Sequence, residues 1–181
     1  MRLEKPFYLR DVRDVARDLL GRELCRRLPG GVVLRGRLVE VEAYLGAGDR
    51  ASHSFRGLTP RNAPMFEEGG IAYVYLVYGM HHCLNVVTSS RGDACAVLLR
   101  AAESPNGVSA SGPGRLTRAF SVDRSLDRAS LLGPDLWLEE GEPIPDSAVR
   151  RTARIGVDYA GAWSRRKLRF VVARHPAVSA R

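Results

Sequence analysis

The sequence predicts an α+β fold built on a largely antiparallel β-sheet. Short apolar or alternating runs of strand length recur along the chain between turns that contain Gly or Pro, whereas helical spacing is confined to a few segments. These patterns do not alternate as they do in βαβ units, so we do not expect a parallel sheet. The chain has 181 residues, 45% of them hydrophobic, which is typical of a single domain, here expected over 1–181.

The N-terminal part predicts one helix followed by a hairpin. Apolar residues recur at helical spacing over residues 10–20, and Gly21 suits the position just after a helix. The segment 23–27 then leads through a Pro-Gly-Gly turn into a long strand over 32–45. We therefore expect one helix packed near a two-stranded hairpin.

The long strand predicts an unusual arrangement of charge. Because side chains alternate along a strand, Glu40, Glu42 and Tyr44 share one face with Leu38, while the opposite face is apolar. Two carboxylates are thus expected beside an aromatic ring.

The central part of the chain predicts a second hairpin. A polar, Gly- and Pro-containing stretch over 46–70 is too long for an ordinary connection and indicates a functional loop. Strands are expected over 71–78 and 82–88, and Gly79 with Met80 would turn the chain and leave Tyr78 at the tip.

The remaining elements follow from the same patterns. A strand over 95–101 carries Arg100, and Pro113 suits the first turn of a helix. The predicted elements of this part are the helix 113–122 and the strands 135–138, 151–157 and 170–173.

The charge of the chain favours a polyanionic partner. The formal net charge is +8 and nearly all basic residues are arginine, which suits bidentate phosphate contacts, although genomic base composition would also explain that usage. No apolar run approaches the roughly 20 residues that span a bilayer, and the first residues lack a signal-peptide core. We therefore expect a soluble cytoplasmic protein with no membrane partner.

The three cysteines and the adjacent pair His81-His82 do not predict a metal centre. The cysteine count is odd, there is no CxxC spacing, and neighbouring residues on a strand point to opposite faces. We expect no metal and no cofactor, and thiols that pack in the interior.

Glu42 and Arg100 are the first candidates for chemistry. A strand carboxylate among apolar and aromatic neighbours has a raised pKa and can act as a general base, whereas a surface glutamate would simply pair with an arginine. An arginine at the end of an apolar strand needs an anionic partner, which Glu42 or a DNA phosphate would supply.

The aromatic residues Tyr44, His53, Tyr75 and Tyr78 have two interpretations. Tyrosines on strands usually pack in the core or at its rim. Beside a carboxylate on a basic protein, however, rings also suit a pocket for an unstacked base, since each base–aromatic stack contributes roughly 1–3 kcal/mol. Arg115, in the Gly-Pro-Gly-Arg segment at a helix start, could in addition hold a phosphate.

Several motifs together resemble the alkyladenine DNA glycosylase family, the mammalian-type methylpurine glycosylases. The resemblance covers nearly the whole chain. It rests on LVEVEAYLG at 38–46, ASHS at 51–54, TPRN at 59–62, YVYLVYGM at 73–80, Asn85, VLLRA at 97–101, Gly112-Pro113, RIGV at 154–157 and LRF at 168–170.

The resemblance implies a curved, open-barrel-like sheet with surrounding helices and a β-hairpin inserted into DNA. It implies that the protein excises alkylated or deaminated purines from damaged double-stranded DNA without a cofactor, as a monomer that associates with the bacterial nucleoid. The implied roles are Glu42 as general base, Arg100 and a backbone carbonyl near Val172 as holders of the attacking water, and Tyr44, His53, Tyr75 and Asn85 as the base pocket. Tyr78 and Met80 are implied as intercalating residues, and Arg61 and Arg115 as candidate contacts to the DNA backbone.

Two other classes fit parts of the pattern. A domain that binds nucleic acid without catalysis would share the pocket, and an RNA-binding or tRNA-modifying β-module would share the basic charge and the aromatic strands. Intact Glu42 and Arg100 argue against the first, and competition between a lesion duplex and an RNA duplex separates the second.

Overall fold

The fold is organised around one long strand, β2 (Val33–Tyr44), that has partners along both edges. The structure is a computed structural model and describes residues 1–179. Strand β1 (Glu23–Arg27) pairs with the first half of β2. The second half pairs with β5 (Cys95–Ala102) on one edge and with β8 (Arg169–Val172) on the other. The centre of β2 is therefore enclosed by protein on both edges.

The remaining strands extend this framework into a curled antiparallel half-barrel. They are β3 (Ala72–Val77), β4 (His81–Thr88), β6 (Leu136–Glu139) and β7 (Val149–Thr152). The strand order is β3-β4-β5-β2-β1-β6, and β7 joins through β8. Register shifts around Glu40 interrupt the pairing of β2 with β5, and such irregularities bend a strand.

Within residues 1–179, three short α-helices lie around the sheet. They are α1 (Lys5–Tyr8), α2 (Val12–Leu19) and α3 (Pro113–Ala119). The Asp11 carboxylate caps α2 by accepting a hydrogen bond from the backbone N–H of Arg13. Because the buried face of α2 is apolar and packs on β2 and β5, this helix closes one side of the core.

Most sequence expectations for the elements are confirmed, and one strand is misplaced. The α+β class, the antiparallel sheet and the two hairpins agree with the structure. The strand expected over 151–157 is wrong, because β7 covers Val149–Thr152 and Arg154 already lies beyond it. The 3₁₀ helix Asp158–Arg165 and helix α1 were not anticipated, since neither has a sustained apolar period.

Gly36 marks a place where two backbone segments come close. A Cβ atom built on Gly36 would lie 2.3 Å from the carbonyl oxygen of Glu103 and 2.9 Å from the ring of Phe120. The chain after β5 is fixed there, because the Glu103 N–H donates a hydrogen bond to the Arg37 carbonyl at 2.8 Å. No side chain fits at this position without a shift of the backbone.

We predict that Gly36→Ala lowers the free energy of unfolding by about 1–3 kcal/mol, the usual cost of overpacking. Gly48→Ala is the matched control, because a Cβ there would meet no atom within 4 Å. Urea unfolding of both variants checks this, and equal midpoints would contradict the prediction.

Candidate active site

Glu42 lies at the centre of the site, on the enclosed half of β2. Its side chain has no exposed surface. One carboxylate oxygen, Oε1, accepts a hydrogen bond from the backbone N–H of Ile155 at 2.8 Å, and the other, Oε2, accepts one from the Tyr44 hydroxyl at 2.9 Å. The Nη1 atom of Arg100 lies 3.6 Å from Oε2. Both oxygens are thus held in place by the protein.

The surroundings of Glu42 suit a proton acceptor. Burial raises the pKa of Glu42 above its ordinary value, although the charge of Arg100 and the hydrogen bonds from Ile155 and Tyr44 act in the opposite direction. A carboxylate with a raised pKa that is still ionised takes up a proton readily, which is the property of a general base.

Glu40, two residues earlier on β2, is buried as completely but is paired differently. Its oxygens accept hydrogen bonds from Arg100 Nε at 2.9 Å, from Arg169 Nε at 2.7 Å, and from the N–H and hydroxyl of Ser179 at 2.6 and 2.9 Å. Burial acts to raise the pKa of Glu40, but the hydrogen bonds from Ser179 and Arg169 and the charge of Arg100 outweigh it and lower that pKa. The lowered pKa favours the ionised form of Glu40, which fixes Arg100.

Aromatic rings form a cluster beside the carboxylates. His53 and Tyr75 are in contact, with ring centroids 4.6 Å apart, and Tyr73 lies 5.1 Å from Tyr75. The Nδ1 atom of His53 is 3.1 Å from the Tyr73 hydroxyl. Although much of the His53 side chain reaches solvent, desolvation of its ring and the nearby cation of Arg61 lower its pKa, which favours the neutral imidazole.

The cluster encloses a small pocket. Its walls are formed by Tyr44, His53, Met65, Tyr73, Tyr75, Asn85 and Ala96. The space amounts to about 20 Å³, enough for one water molecule. Asn85 is buried and donates from Nδ2 to the Tyr73 carbonyl at 3.1 Å, so its amide is fixed in the wall.

The tip of the β3–β4 hairpin presents Tyr78 to solvent. Its side chain is 90% exposed, and Met80 is 72% exposed. Tyr78 and Gly79 both have positive φ angles, 52° and 68°, and the Met80 N–H donates to the Val77 carbonyl, as in a type I′ turn. For Tyr78 this conformation costs of the order of 1–2 kcal/mol, and such strain is concentrated at functional positions.

Basic side chains flank the pocket and the tip. Arg61 donates to the Leu76 carbonyl at 3.0 Å, with its guanidinium 5.4 Å from the centroid of Tyr75. Beside the tip lies a groove of about 450 Å³. Its lining includes Tyr78, His81, Arg115 and Arg118. One face of the molecule thus carries the pocket, the aromatic tip and several cations.

Comparisons with known proteins identify the family of the chain. The model of the methylpurine-DNA glycosylase (MPG) family matches residues 6–176. The chain belongs to the methylpurine-DNA glycosylase family. It is 49% identical to a Myxococcus xanthus protein provisionally named 3-methyladenine DNA glycosylase, over 94% of this chain and 89% of that protein. Proteins of the same provisional name are 50% identical in Anaeromyxobacter dehalogenans (99% and 86% covered) and 43% identical in Legionella pneumophila (98% of each).

Family membership makes the chain a DNA glycosylase, a hydrolase that acts on N-glycosyl bonds. Among residues 1–179, no group of three His, Cys, Asp or Glu side chains is placed to hold a metal ion. Within the same residues, no helix has both the length and the apolar character needed to cross a bilayer.

The predicted site residues fall into two places, with one correction. Tyr44, His53, Tyr75 and Asn85 line the pocket beside Glu42 and Arg100, whereas Tyr78, Met80 and Arg115 lie at the hairpin tip and its groove. Val172, expected to place its carbonyl near Glu42, lies beyond the residue of β8 that pairs with Glu40, and its carbonyl accepts from the His175 N–H. The backbone beside Glu42 is that of Ile155. This contact joins residues 113 positions apart, and the only signal for it was the RIGV segment of the family resemblance.

Sequence reasoning also missed four supporting residues. Nothing in the local pattern indicated that Tyr73 would bind His53 or that Ser179 would cap Glu40. The buried pair of Asp49 and Arg154 was missed as well, although a buried arginine always requires an anion.

We predict opposite stability effects for the two buried glutamates. Glu40→Gln leaves Arg100 and Arg169 without their shared anion, and removing one partner of a buried ion pair costs about 3–5 kcal/mol. Glu42→Gln removes a carboxylate whose ionised form the fold disfavours, so its free energy of unfolding at pH 7 should change little or rise.

The pKa shifts of the two glutamates determine how each contributes to stability at different pH. Because folding lowers the pKa of Glu40, its contribution to stability is present above its unfolded pKa and is lost as pH falls through the folded pKa. Folding raises the pKa of Glu42, so its contribution is present at low pH and is lost as pH rises through the folded pKa. Urea unfolding at pH 7 and at acidic pH tests this, and equal costs for both variants at pH 7 would refute it.

Proposed function

We propose that the glycosylase hydrolyses the N-glycosidic bond of alkylated or deaminated purines flipped out of duplex DNA, and leaves an intact abasic site. The observation that carries this proposal is Glu42, fully buried, held at both oxygens and next to the aromatic pocket. The relatives' names, which specify 3-methyladenine, support the substrate class.

The pocket would bind the damaged base by stacking. Tyr44, His53 and Tyr75 all line it, and Tyr44 would stack on one face of the base with His53 and Tyr75 on the other. N-alkylated purines carry positive charge, which electron-rich rings attract. The fixed amide of Asn85 would obstruct the exocyclic amine that distinguishes guanine. Because the pocket holds only one water, the rings must separate to admit a purine.

Glu42 would act on the water that attacks the sugar. The water oxygen bonds to C1′, the C1′–N bond breaks, and its electron pair leaves with the base. Ionised Glu42 accepts a proton of the water, and Arg100, fixed by Glu40, stabilises the carboxylate and orients the water. A cationic purine leaves as a neutral base, whereas a neutral lesion such as hypoxanthine or ethenoadenine must also gain a proton.

Cleavage of the DNA strand is not expected. A glycosylase that also cuts DNA forms a Schiff base through an amine, and the chain has only two lysines, Lys5 and Lys167. Lys5 pairs with Glu68, Lys167 is exposed, and neither lines the pocket. The reaction would therefore end at base release.

The hairpin tip would hold the duplex open. Tyr78, with Met80 beside it, is exposed at a strained turn and could enter the gap that a flipped base leaves. Arg61, which donates to the Leu76 carbonyl, and Arg115, which lines the groove beside Tyr78, would contact the DNA backbone.

We predict that Glu42→Gln abolishes release of a methylated purine or hypoxanthine from a duplex while binding of that duplex persists. A general base contributes ~10²–10⁴-fold, so the single-turnover rate should fall by at least that factor. The control is Glu140→Gln. Glu140 is exposed and directly follows β6, the last strand in the sheet order, so this variant should match the wild type.

The alternatives are distinguishable in the same assay. Failure of the wild type to release any of these bases would favour a binding module. Strong competition by a matched RNA duplex would favour an RNA partner. Full activity of Glu42→Gln would remove Glu42 from the mechanism and leave the reaction class intact.

We predict that Tyr78→Gly and Tyr78→Ala differ in stability but lose the same activity. Glycine adopts positive φ freely, so the free energy of unfolding should rise by about 1 kcal/mol relative to Tyr78→Ala. Both variants lose the intercalating ring and should release the base from a duplex about 5- to 150-fold more slowly, since that is the effect of a lost stack of 1–3 kcal/mol. Unchanged duplex rates would show that Tyr78 does not enter DNA.

A further inference from the structure

A buried ion pair outside the catalytic group lies behind the pocket. Arg154 and Asp49 both have fully buried side chains and form a bidentate contact, with Nη1–Oδ2 at 2.5 Å and Nη2–Oδ1 at 2.8 Å. Asp49 is in turn fixed by the backbone N–H groups of Leu45 and Ala51, at 3.1 and 3.0 Å. The pair joins the loop that follows β2 to the segment that follows β7.

Arg154 contacts both groups that donate to Glu42. Its guanidinium lies 4.6 Å from the centroid of the Tyr44 ring, and the hydroxyl of that ring donates to Glu42. The next residue in the chain is Ile155, whose N–H is the second donor. Arg154 also donates from Nη1 to the Ala43 carbonyl at 2.9 Å, which ties it to the strand between Glu42 and Tyr44.

We propose that the Arg154–Asp49 pair is a positioning unit that aims the Ile155 N–H and the Tyr44 hydroxyl at Glu42. The inference rests on the proposed function, in which Glu42 is the general base. Arg154 touches neither the pocket cavity nor Arg100 and acts through its two neighbours. A bidentate guanidinium suits this task, because its planar fork fixes direction as well as distance.

The positioning has a consequence for the pH at which the glycosylase works. Both hydrogen bonds favour the ionised carboxylate, as does the positive charge of Arg154 nearby. Loss of the pair would therefore raise the pKa of Glu42 further. The other titratable or charged groups around Glu42 are Glu40 and Tyr44 on β2, Tyr75 on β3, Cys83 on β4 and Arg100 on β5.

The test is the pH profile of single-turnover base release from a duplex that carries a methylated purine. In Arg154→Gln, the acid limb should move to higher pH by about one unit, since a hydrogen bond to a charged group contributes on that scale. Asp49→Asn should move it in the same direction. Arg154→Lys keeps the charge without the fork and should restore the limb only in part.

Arg17→Gln is the matched control. Arg17 also pairs with an aspartate, Asp146, and donates to a backbone carbonyl, that of Ile144, but it lies on α2 away from the pocket. The Arg17→Gln variant should lower the urea midpoint of unfolding without moving the acid limb of the pH profile. A limb unmoved in Arg154→Gln and Asp49→Asn, with only the rate or the active fraction reduced, would overturn the proposal.

Tyr44→Phe provides a second measurement that does not require Arg154→Gln to fold well. It removes one of the two donors to Glu42. Asp49→Asn should therefore shift the acid limb less in the Tyr44→Phe background than in the wild type. Fully additive shifts would overturn the proposal. A wild type without an acid limb would overturn both the base role of Glu42 and this inference, whereas a limb present in the wild type but unaffected by the variants rejects the inference alone.

Discussion

The architecture depends on keeping the carboxylate of Glu42 ionisable without any contact with solvent. An isolated buried carboxylate would be far too costly, so each of its oxygens has a donor and a cation lies nearby. Only a strand with partners on both edges provides this, and β2 is such a strand. Arg100 comes from β5 on one edge, and Ile155 comes from the segment between β7 and β8 on the other. The partners on both edges of β2 are therefore what allows a charged side chain at Glu42 to be buried.

Glu40 and Glu42 show how neighbouring identical residues are given different tasks. Glu40 has four hydrogen-bond donors, two of them from arginines, and its lowered pKa favours the ionised form. Arg100 is consequently committed to Glu40 through Nε and reaches Glu42 only at 3.6 Å. A direct bidentate pair with Arg100 would have lowered the pKa of Glu42 and weakened it as a base. The two buried arginines and two carboxylates balance in charge, and the anion with fewer donors, Glu42, is the one that we propose as the general base.

What the sequence could predict was local, and what it missed was long-range. The alternation along β2 placed Glu40 and Glu42 on one face, and Gly79 placed Tyr78 at a turn, because both depend on adjacent residues. The pairing of β8 with β2 depends on register between distant segments, so the expected place of Val172 was wrong. The Arg154–Asp49 pair spans 105 positions and has no periodic signature. The pocket residues were recovered through family motifs, which carry long-range information that a local pattern lacks.

The two walls of the pocket differ in how firmly they are held, and this asymmetry indicates how a purine enters. Tyr44 lies on β2, with Arg154 near its ring and its hydroxyl bound to Glu42. His53 lies in the loop between β2 and β3, outside regular strands, and much of its side chain reaches solvent. The His53 ring is held by one hydrogen bond with the Tyr73 hydroxyl, at 3.1 Å, and by its contact with the Tyr75 ring. In the proposed function, the side of the pocket that yields to a purine would therefore be the His53 side, while Tyr44 would stay fixed beside Glu42.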